Sequence, residues 1–439
     1  MSPILQTKTP LLIQPPDKDA LVAEFVGKPC NSLRTPAFIV DRAVFAKNCR
    51  KIHENAREWG ATFRGHLKTH KTAEGARLQL ITDVGRTPAV IVSTLMEAWG
   101  ILQGGLVADG TIKDILYGLP VGLNKLDDLS TLQAEMEKYG GTMRILLDDL
   151  AQVKFLEEYE SMQEHPKTWS AFIKMDDGHK RAGIPLEPES FKAFMMEVFA
   201  CPAISLFGFY VHAGNAYAST SLEEATSLLT GEVRLANDAA ALALEVRAEL
   251  GIKTADNQPF VLSVGSTPTA QCATAEAKLQ MTSMLNGTLE LHAGVYTMFD
   301  LQQLHTNMVD RPQISHKVLA TVISYYPGRG ADGQDEAMCD AGAIAMSRDT
   351  GRIPGFGEVI GKAWKLGRIS QEHGTLVQIP PNPESGHTDT ALKVGEIIGI
   401  IGQHACLIAA AHQWFYIIDS DIEEGSDRVV DIWVPWKGW

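Results

Sequence analysis

Two histidines and two lysines fall within the short stretch "GHLKTHK" (Gly65–Lys71), where the apolar "ATF" hands over to the helical pattern of "TAEGARLQL". Side chains alternate along a strand, which places His66, Lys68 and His70 on one face. On an exposed edge such cations are simply solvated, the ordinary fate of lysine. Facing a core, Lys68 is instead a desolvated amine among cations, with a lowered pKa and nucleophilic toward an aldehyde. A second group is "SVGSTPT" (Ser263–Thr269), where glycine and hydroxyls follow a strand-like run and gather N–H and O–H donors as phosphate sites do. In "HAGVY" there is a close backbone approach at Gly294 and Val295, with a phenol at Tyr296. In "HAC", His404 and Cys406 are two apart and point the same way if the segment is extended. Imidazole with thiolate suits Zn2+, while a satisfied core pair is the plainer reading of those residues taken alone.

These groups need elements to position them. "VIVSTL" (90–95), "DILYGL" (114–119), "MRILLDD" (143–149), "SAFIKMDD" (170–177), "LFGFYVHAG" (206–214), "FVLSVGST" (260–267) and "TLELHAG" (288–294) are near-continuous apolar runs of strand length, suited to parallel strands buried on both faces. Between them lie helical patterns: Phe45, Cys49, Ile52, Ala56 and Trp59; Leu126, Leu129, Leu132 and Met136; and a long Ala/Leu/Glu-rich stretch over 220–251. With "TFRGHLKT" this makes eight β-α repeats, which predict an α/β fold closing into a (β/α)8 barrel, with a doubly wound sheet as the alternative. Barrel chemistry sits at the C-terminal strand ends, where Lys68, His212, the 263–269 run and the 292–296 run all fall. Past 305 the texture turns to short β-rich runs separated by Gly, Pro, Asp and Asn, which predicts an antiparallel β domain. The division read from the sequence is an N-terminal extension over 1–36 packing on the β domain, a barrel over 37–304 and a β domain over 305–439.

Composition narrows the partners. A formal charge of −14 disfavours nucleic acid and anionic membranes, both of which are bound through excess Lys and Arg. No apolar run approaches the ~18 residues of a membrane span, and the opening "MSPILQTKTPLLIQPPDKD" lacks the plan of a secretion signal. The expectation is a cytoplasmic protein with a small-molecule substrate. The six cysteines are scattered without a CxxC pair, and read as mostly reduced, buried thiols.

An early-strand lysine, a phosphate cup on the last two barrel strands and a β domain behind the barrel resemble the fold-type III, alanine-racemase-like pyridoxal phosphate enzymes. The segments "TPAFIVD", "FRGHLKTHKT", "VSTLMEA", "IKMDDGHKRAGI", "SVGSTPT", "ELHAGVYTMFDLQQ", "SQEHG" and "IIGQHACL" are similar, in order, to the D-serine dehydratase and D-threonine aldolase family, over nearly the whole chain from Thr35. The resemblance implies pyridoxal 5'-phosphate held by Lys68, with His66, His70 and Lys71 as positive surroundings. It implies a cofactor pocket of His66, Tyr210, Tyr217, Ser266, Thr267, Gly294, Val295 and Tyr296, to which His212 and Asn215 contribute. Arg181 lies near the cofactor ring and Tyr210 contacts it by the same resemblance, and each equally fits a structural role. His404 and Cys406 correspond to the metal pair, with Glu372 and His373 approaching it; where typical D-threonine aldolases have an aspartate, Cys406 points to Zn2+ and to dehydration. His179, Lys180, Gly65 and Val264 depart from the family pattern, and His292 stands where alanine racemases place an arginine.

The activity implied is β-elimination of a D-3-hydroxy amino acid, D-serine giving pyruvate and ammonia, with Lys68, Arg181 and Tyr210 in catalytic positions and a homodimer as the assembly. The alternatives are retro-aldol cleavage to glycine and an aldehyde, and a non-catalytic pyridoxal phosphate carrier, against which the β domain argues.

Overall fold

Asp41 caps the helix Arg42–Trp59 by accepting from the N–H groups of Ala43 and Val44. That helix buries Phe45, Cys49, Ile52, Ala56 and Trp59, the stripe its spacing predicts. The computed structural model describes residues 12–252, 259–274, 285–352, 354–384 and 386–439. Ahead of the helix comes β1 (Ala37–Asp41). After it run β2 (Thr62–His66), β3 (Ala89–Val92), β4 (Asp114–Pro120), β5 (Thr142–Leu147), β6 (Trp169–Lys174), β7 (Ile204–Tyr210), β8 (Phe260–Val264) and β9 (Gly287–Ala293). Each pairs in parallel with the next and β9 pairs with β2, so the eight close into a barrel and not an open doubly wound sheet.

The apolar runs coincide with these strands because both faces are buried. Ile91, Leu116, Leu146, Phe172 and Tyr210 fill the bore, while Val90, Val92, Ile115, Ile145, Leu147 and Ile173 pack outward. Toward the N-terminal end of the bore, packing gives way to charge. Arg64, 1% exposed, donates to Glu290 Oε1 at 2.8 Å and to Asp114 Oδ1 and Oδ2 at 2.6 and 3.2 Å, and Arg144 Nε donates to Asp114 Oδ2 at 2.8 Å. Burial raises the Asp114 carboxyl, but the two guanidiniums outweigh it and hold it below the usual range.

The second sheet contains β10 (His316–Tyr326), β11 (Glu336–Cys339), β12 (Gly357–Val359), β13 (Trp364–Ile369), β14 (Gly374–Gln378), β15 (Ile397–Gly402), β16 (Phe415–Ile418) and β17 (Asp431–Trp433). In the order β11-β14-β13-β12-β15-β10, with β10 also paired to β11, six strands close on themselves through antiparallel pairings. Two features depart from the sequence reading. The strand β1, which the reading gave to the barrel, lies in this sheet, antiparallel to β10 (Ala37↔Leu319) and parallel to β16 (Ile39↔Tyr416). The barrel therefore begins after β1, and the β domain is not wholly antiparallel. The helix Lys18–Phe25 packs near β17, with Lys18 3.7 Å from Asp431. All six cysteines are free thiols. No described helix is long and apolar enough to cross a membrane.

Candidate active site

The "GHLKTHK" stretch is not one strand face. β2 stops at His66, whose Nδ1 accepts from the Lys68 N–H at 3.4 Å, and Leu67–Thr69 forms a 3₁₀ turn. Lys68 leaves this turn half-buried at the C-terminal mouth of the barrel, while His70 turns away from it. The His70 ring is fully buried, accepting from the Thr72 N–H at 3.1 Å and donating to Gln79 Oε1 at 2.8 Å, and Gln79 in turn donates to the His66 carbonyl. The cationic surroundings expected of Lys68 are largely absent for a physical reason. Burial pushes His70 down to about 4, burial together with Lys68 and His212 holds His66 well below the usual range, and the Lys71 ammonium is answered by Glu97 at 3.1 Å.

Around Lys68 the barrel gathers His66, His212, Tyr217, Gly294 and Cys406. His212, after β7, donates from Nδ1 to the Gly265 carbonyl at 2.8 Å, which leaves Nε2 as its lone pair. Burial, then Lys68 and Arg181, keep this imidazole neutral. Tyr217 is within electrostatic range of Lys68, Cys406 and Asp300. Both loops are tied to Glu232 on the helix Leu222–Glu249: one carboxylate oxygen accepts from the N–H of Ala213 at 2.6 Å and of Gly265 at 3.3 Å. Gly265 has φ +134°, and a Cβ there would meet the His292 carbonyl oxygen at 2.4 Å.

Beside the lysine, a Cβ on Gly294 would come within 3.1 Å of His66 Cβ and 3.5 Å of Lys68 Cε. The space next to the amine is thus open because this residue is glycine. That opening, with the loops at Gly265–Thr267 and Gly294–Tyr296 bordering it, fits a flat cofactor carrying a phosphate. Two expected contributions to that cup are engaged elsewhere. The Ser266 hydroxyl caps the short helix Thr267–Gln271 through Thr269, and the Tyr296 phenol is buried behind the barrel against Phe63, near Cys49. For Tyr296 only the backbone, with that of Val295, is left to border the cup.

Tyr210 ends β7 inside the bore, 6% exposed, stacked on His292 with ring centroids 4.2 Å apart. Burial raises its phenol, so it stays protonated. His292 Nδ1 lies 3.1 Å from the Ser263 hydroxyl, and its Nε2 is buried without a partner among the described residues. Arg181 is exposed in the loop after β6, and Asn215 is exposed in the loop after β7. Both border the mouth without contacting Lys68 among the described residues.

The second domain supplies the remaining wall. After β15, His404 caps the helix Ala405–Ala411 and Cys406 is its second residue, so "HAC" is a helix start and not an extended segment. The two side chains are still close enough to act on each other electrostatically. Cys406 Sγ is also 3.2 Å from Thr69 Oγ1, in the turn that carries Lys68. Burial raises the thiol, but His404, Lys68 and Thr69 outweigh it and bring it below its ordinary value. His404 Nδ1 donates to Asp349 Oδ2 at 2.5 Å, and Asp300 accepts from the Ala405 N–H at 2.9 Å. Against burial, Cys406, Asp300 and Asp349 raise the His404 imidazole to about 9. Among the described residues no group of three or more His, Cys, Asp or Glu side chains gathers as a metal cage. Glu372 and His373 are exposed at the turn between β13 and β14, beside Ala343 and Ile344, with no described contact to the pair.

The C-terminal segment braces both halves. The Trp436 N–H donates to the Lys71 carbonyl at 2.8 Å, its indole lies over Gly100, and the Lys437 ammonium donates to the carbonyls of Ala409, at 3.1 Å, and Ala410.

Sequence reasoning missed Glu232, Asp300, Asp349 and Lys174. Glu232 interrupts the apolar stripe of Leu229, Val233 and Ala236, and Asp300 with Gln303 three residues on is a helix-start signature; both signals were available. Asp349 lies in "SRDTGR" with no periodic context.

Residues 40–283 match the family described as alanine racemase, N-terminal domain, and residues 315–418 the putative serine dehydratase domain. The chain is 40% identical over 428 residues to D-serine dehydratase of Schizosaccharomyces pombe, covering 96% of each, and 32% identical over 449 residues to D-serine dehydratase of Saccharomyces cerevisiae, covering 95% of this chain and 99% of the relative. Among solved structures it is similar to D-threo-3-hydroxyaspartate dehydratase from Delftia sp. HT23, with a TM-score of 0.74 and 25% identity over 94% of this chain and all of that one. With a closed parallel barrel, a lysine at the mouth of its first strand and a β domain behind it, the chain belongs to the D-serine dehydratase and D-threonine aldolase family of fold-type III pyridoxal phosphate enzymes.

Proposed function

We propose that this enzyme removes water from a D-3-hydroxy amino acid, D-serine giving pyruvate and ammonia, with pyridoxal phosphate bound at Lys68 and a zinc ion held by His404 and Cys406. The observation that carries the reading is the packing of the imidazole–thiol pair against the turn that bears Lys68, through the contact of Cys406 with Thr69. The relationship to D-serine dehydratases over almost the full length supports it.

Pyridoxal phosphate supplies an electron sink for the charge that forms at Cα. Zinc supplies a Lewis acid for the β-oxygen, whose departure as hydroxide is otherwise slow. The rest is work for side chains. The Lys68 amine, placed by the 3₁₀ turn, takes the Cα proton. His212, fixed by Gly265, presents an acceptor Nε2 and no charge. Tyr217 lies within electrostatic range of both Lys68 and Cys406, and Asp349 takes the Nδ1 side of His404, which leaves Nε2 as the donor for a metal. His404 and Cys406 would be the two protein donors to that metal. As the resemblance implies, we place the enzyme in the cytoplasm as a homodimer.

The test is product identification with D-serine before and after chelation, with Cys406→Ala alongside. Pyruvate and ammonia should form in the untreated enzyme. Chelation and Cys406→Ala should each reduce the rate by at least about a hundredfold, while the cofactor band of the enzyme stays in place. Glycine with an aldehyde from D-threonine would favour the aldolase outcome, and an unchanged rate in metal-free enzyme would remove the metal from the reaction.

A further inference from the structure

Lys71 closes the turn that carries Lys68, and each polar group it has is engaged by a different element. Its N–H donates to the Leu67 carbonyl at 2.9 Å, so residues 67–71 form one turn with Lys68 inside it. Its carbonyl accepts from the Trp436 backbone N–H at 2.8 Å. Its ammonium lies 3.1 Å from Oε1 of Glu97, a side chain that is fully buried. Glu97 also accepts from the Ser93 N–H at 3.1 Å and the Thr94 hydroxyl at 3.2 Å. Those two bonds are of the kind a glutamate in the first turn of a helix makes on its own account. They do not explain the cation.

The backbone of Lys71 points further. Its φ is +53°, a left-handed conformation that glycine adopts freely and lysine adopts at a cost. A lysine held there needs surroundings that over-determine it, and one helix supplies them from two sides. In the helix Leu95–Gln103, Glu97 and Gly100 are three apart and share a face. Glu97 takes the ammonium. At Gly100 a Cβ would come within 2.3 Å of the Trp436 ring, so the indole lies directly on that helix while the backbone N–H of the same residue holds the Lys71 carbonyl. We propose that Lys71 is a positioning residue for the cofactor lysine: its pair with Glu97 fixes the turn Leu67–Lys71 and so aims the Lys68 amine into the barrel mouth. In this role Lys71 touches neither cofactor nor substrate and acts only through the backbone of the turn. The inference rests on the cofactor reading above and adds a residue to it. An amine displaced by about 1 Å reacts up to about a hundredfold more slowly, which gives one buried ion pair a large hold on the rate.

The experiment uses full-length protein stripped of cofactor and compares wild type, Lys71→Met/Glu97→Gln, Lys71→Arg and Lys68→Ala. The double variant removes both charges at once, so no carboxylate is left buried alone and the net field at Lys68 changes little. One readout is the rate at which added pyridoxal phosphate becomes attached to Lys68, the amine nitrogen replacing the aldehyde oxygen and water leaving, trapped by borohydride and located by mass spectrometry. The others are kcat and KM for D-serine. The double variant should attach the cofactor and turn over D-serine about tenfold more slowly or worse, with KM unchanged because Lys71 makes no contact with the substrate. Lys71→Arg, whose guanidinium reaches the same carboxylate, should recover most of both rates. If the methionine variant does not fold, Lys71→Gly/Glu97→Gln, unstrained at a positive φ, should fold and show the same slow attachment. Wild-type rates in either double variant overturn the proposal and leave the pair as a helix cap with its counter-ion. A raised KM at unchanged kcat also overturns it, and places the ammonium on the substrate. Lys68→Ala keeps the two readings apart, because a reducible adduct surviving there would refute the cofactor lysine itself, whatever Lys71 does.

Discussion

A single carboxyl, that of Glu232, decides how two loops of the mouth stand relative to each other, because it accepts from the N–H groups of both Ala213 and Gly265. Burial pushes this carboxyl up from 4.5 to about 8. A group whose folded pKa is raised favours the fold in its protonated form. Its contribution is full below about 4.5 and is lost as the pH climbs toward 8. Glu232→Gln keeps the acceptor and never ionises. Its melting temperature should therefore gain on wild type between pH 5 and 8, by up to about 1.4 kcal/mol per pH unit in stability terms; a gap that closes with rising pH would contradict this. Gly294→Leu probes the neighbouring wall, where the side chain would fill the opening beside Lys68 Cε. Cofactor retention should weaken roughly tenfold or more, about 1.4 kcal/mol, with the far-ultraviolet dichroism unchanged. Much of this site was legible in the residues: Lys68, His66, His212, Tyr217, Gly294 and Cys406 do converge. The parts that were not legible lie just past strand ends, where alternation no longer dictates direction. His70, the Ser266 hydroxyl and the Tyr296 phenol are in the right segments and point elsewhere, into a hydrogen-bond pair, a helix cap and a packed layer respectively.

The elements were the most readable level. Runs such as "DILYGL" and "SAFIKMDD" stand within a residue or a few of β4 and β6 because a strand buried on both faces has little freedom in composition. The failures share a cause: short local structure set by hydrogen bonds and not by apolar period. The 3₁₀ turn Leu67–Thr69 and the helix start at Ala405 carry no periodic signal of their own length. Yet those two small elements, in contact through Thr69 and Cys406, bring Lys68 and the His404–Cys406 pair together. The last turn of the helix Ala405–Ala411 has its carbonyls bound by Lys437, a cation where the helix dipole favours one. Lys437→Met should leave the cofactor spectrum and affinity alone while loosening that helix. Competition against a chelator should then show metal lost severalfold faster, as expected for a helix end weakened by about 1 kcal/mol. Equal loss rates would mean that the strap holds the domains without touching the pair.

At the scale of the molecule, charge closes one end of the barrel and the chain path ties its two domains. Arg64 links β2 to β4 and β9, and Arg144 brings β5 to the same Asp114. Cutting Arg64 back to alanine strands Glu290 in the bore and leaves Asp114 to Arg144 alone, and should cost about 3–5 kcal/mol, read as a lowered urea midpoint; a loss below about 1 kcal/mol would mean that solvent already serves Glu290. The path of β1 has a different reach. It is held between β10 and β16, both of which follow the entire barrel in sequence. On a ribosome adding about 5–20 residues per second, β1 waits some tens of seconds for its partners after leaving the exit tunnel, while the barrel strands can pair in order as they emerge. During that interval the nascent chain already has Lys68 but neither the helix that bears Cys406 nor the strap that clasps Lys71. Completion of the second sheet is thus a built-in delay: the polypeptide becomes competent only once β10 and β16 have been made, and a half-made chain meets D-amino acids without the means to transform them.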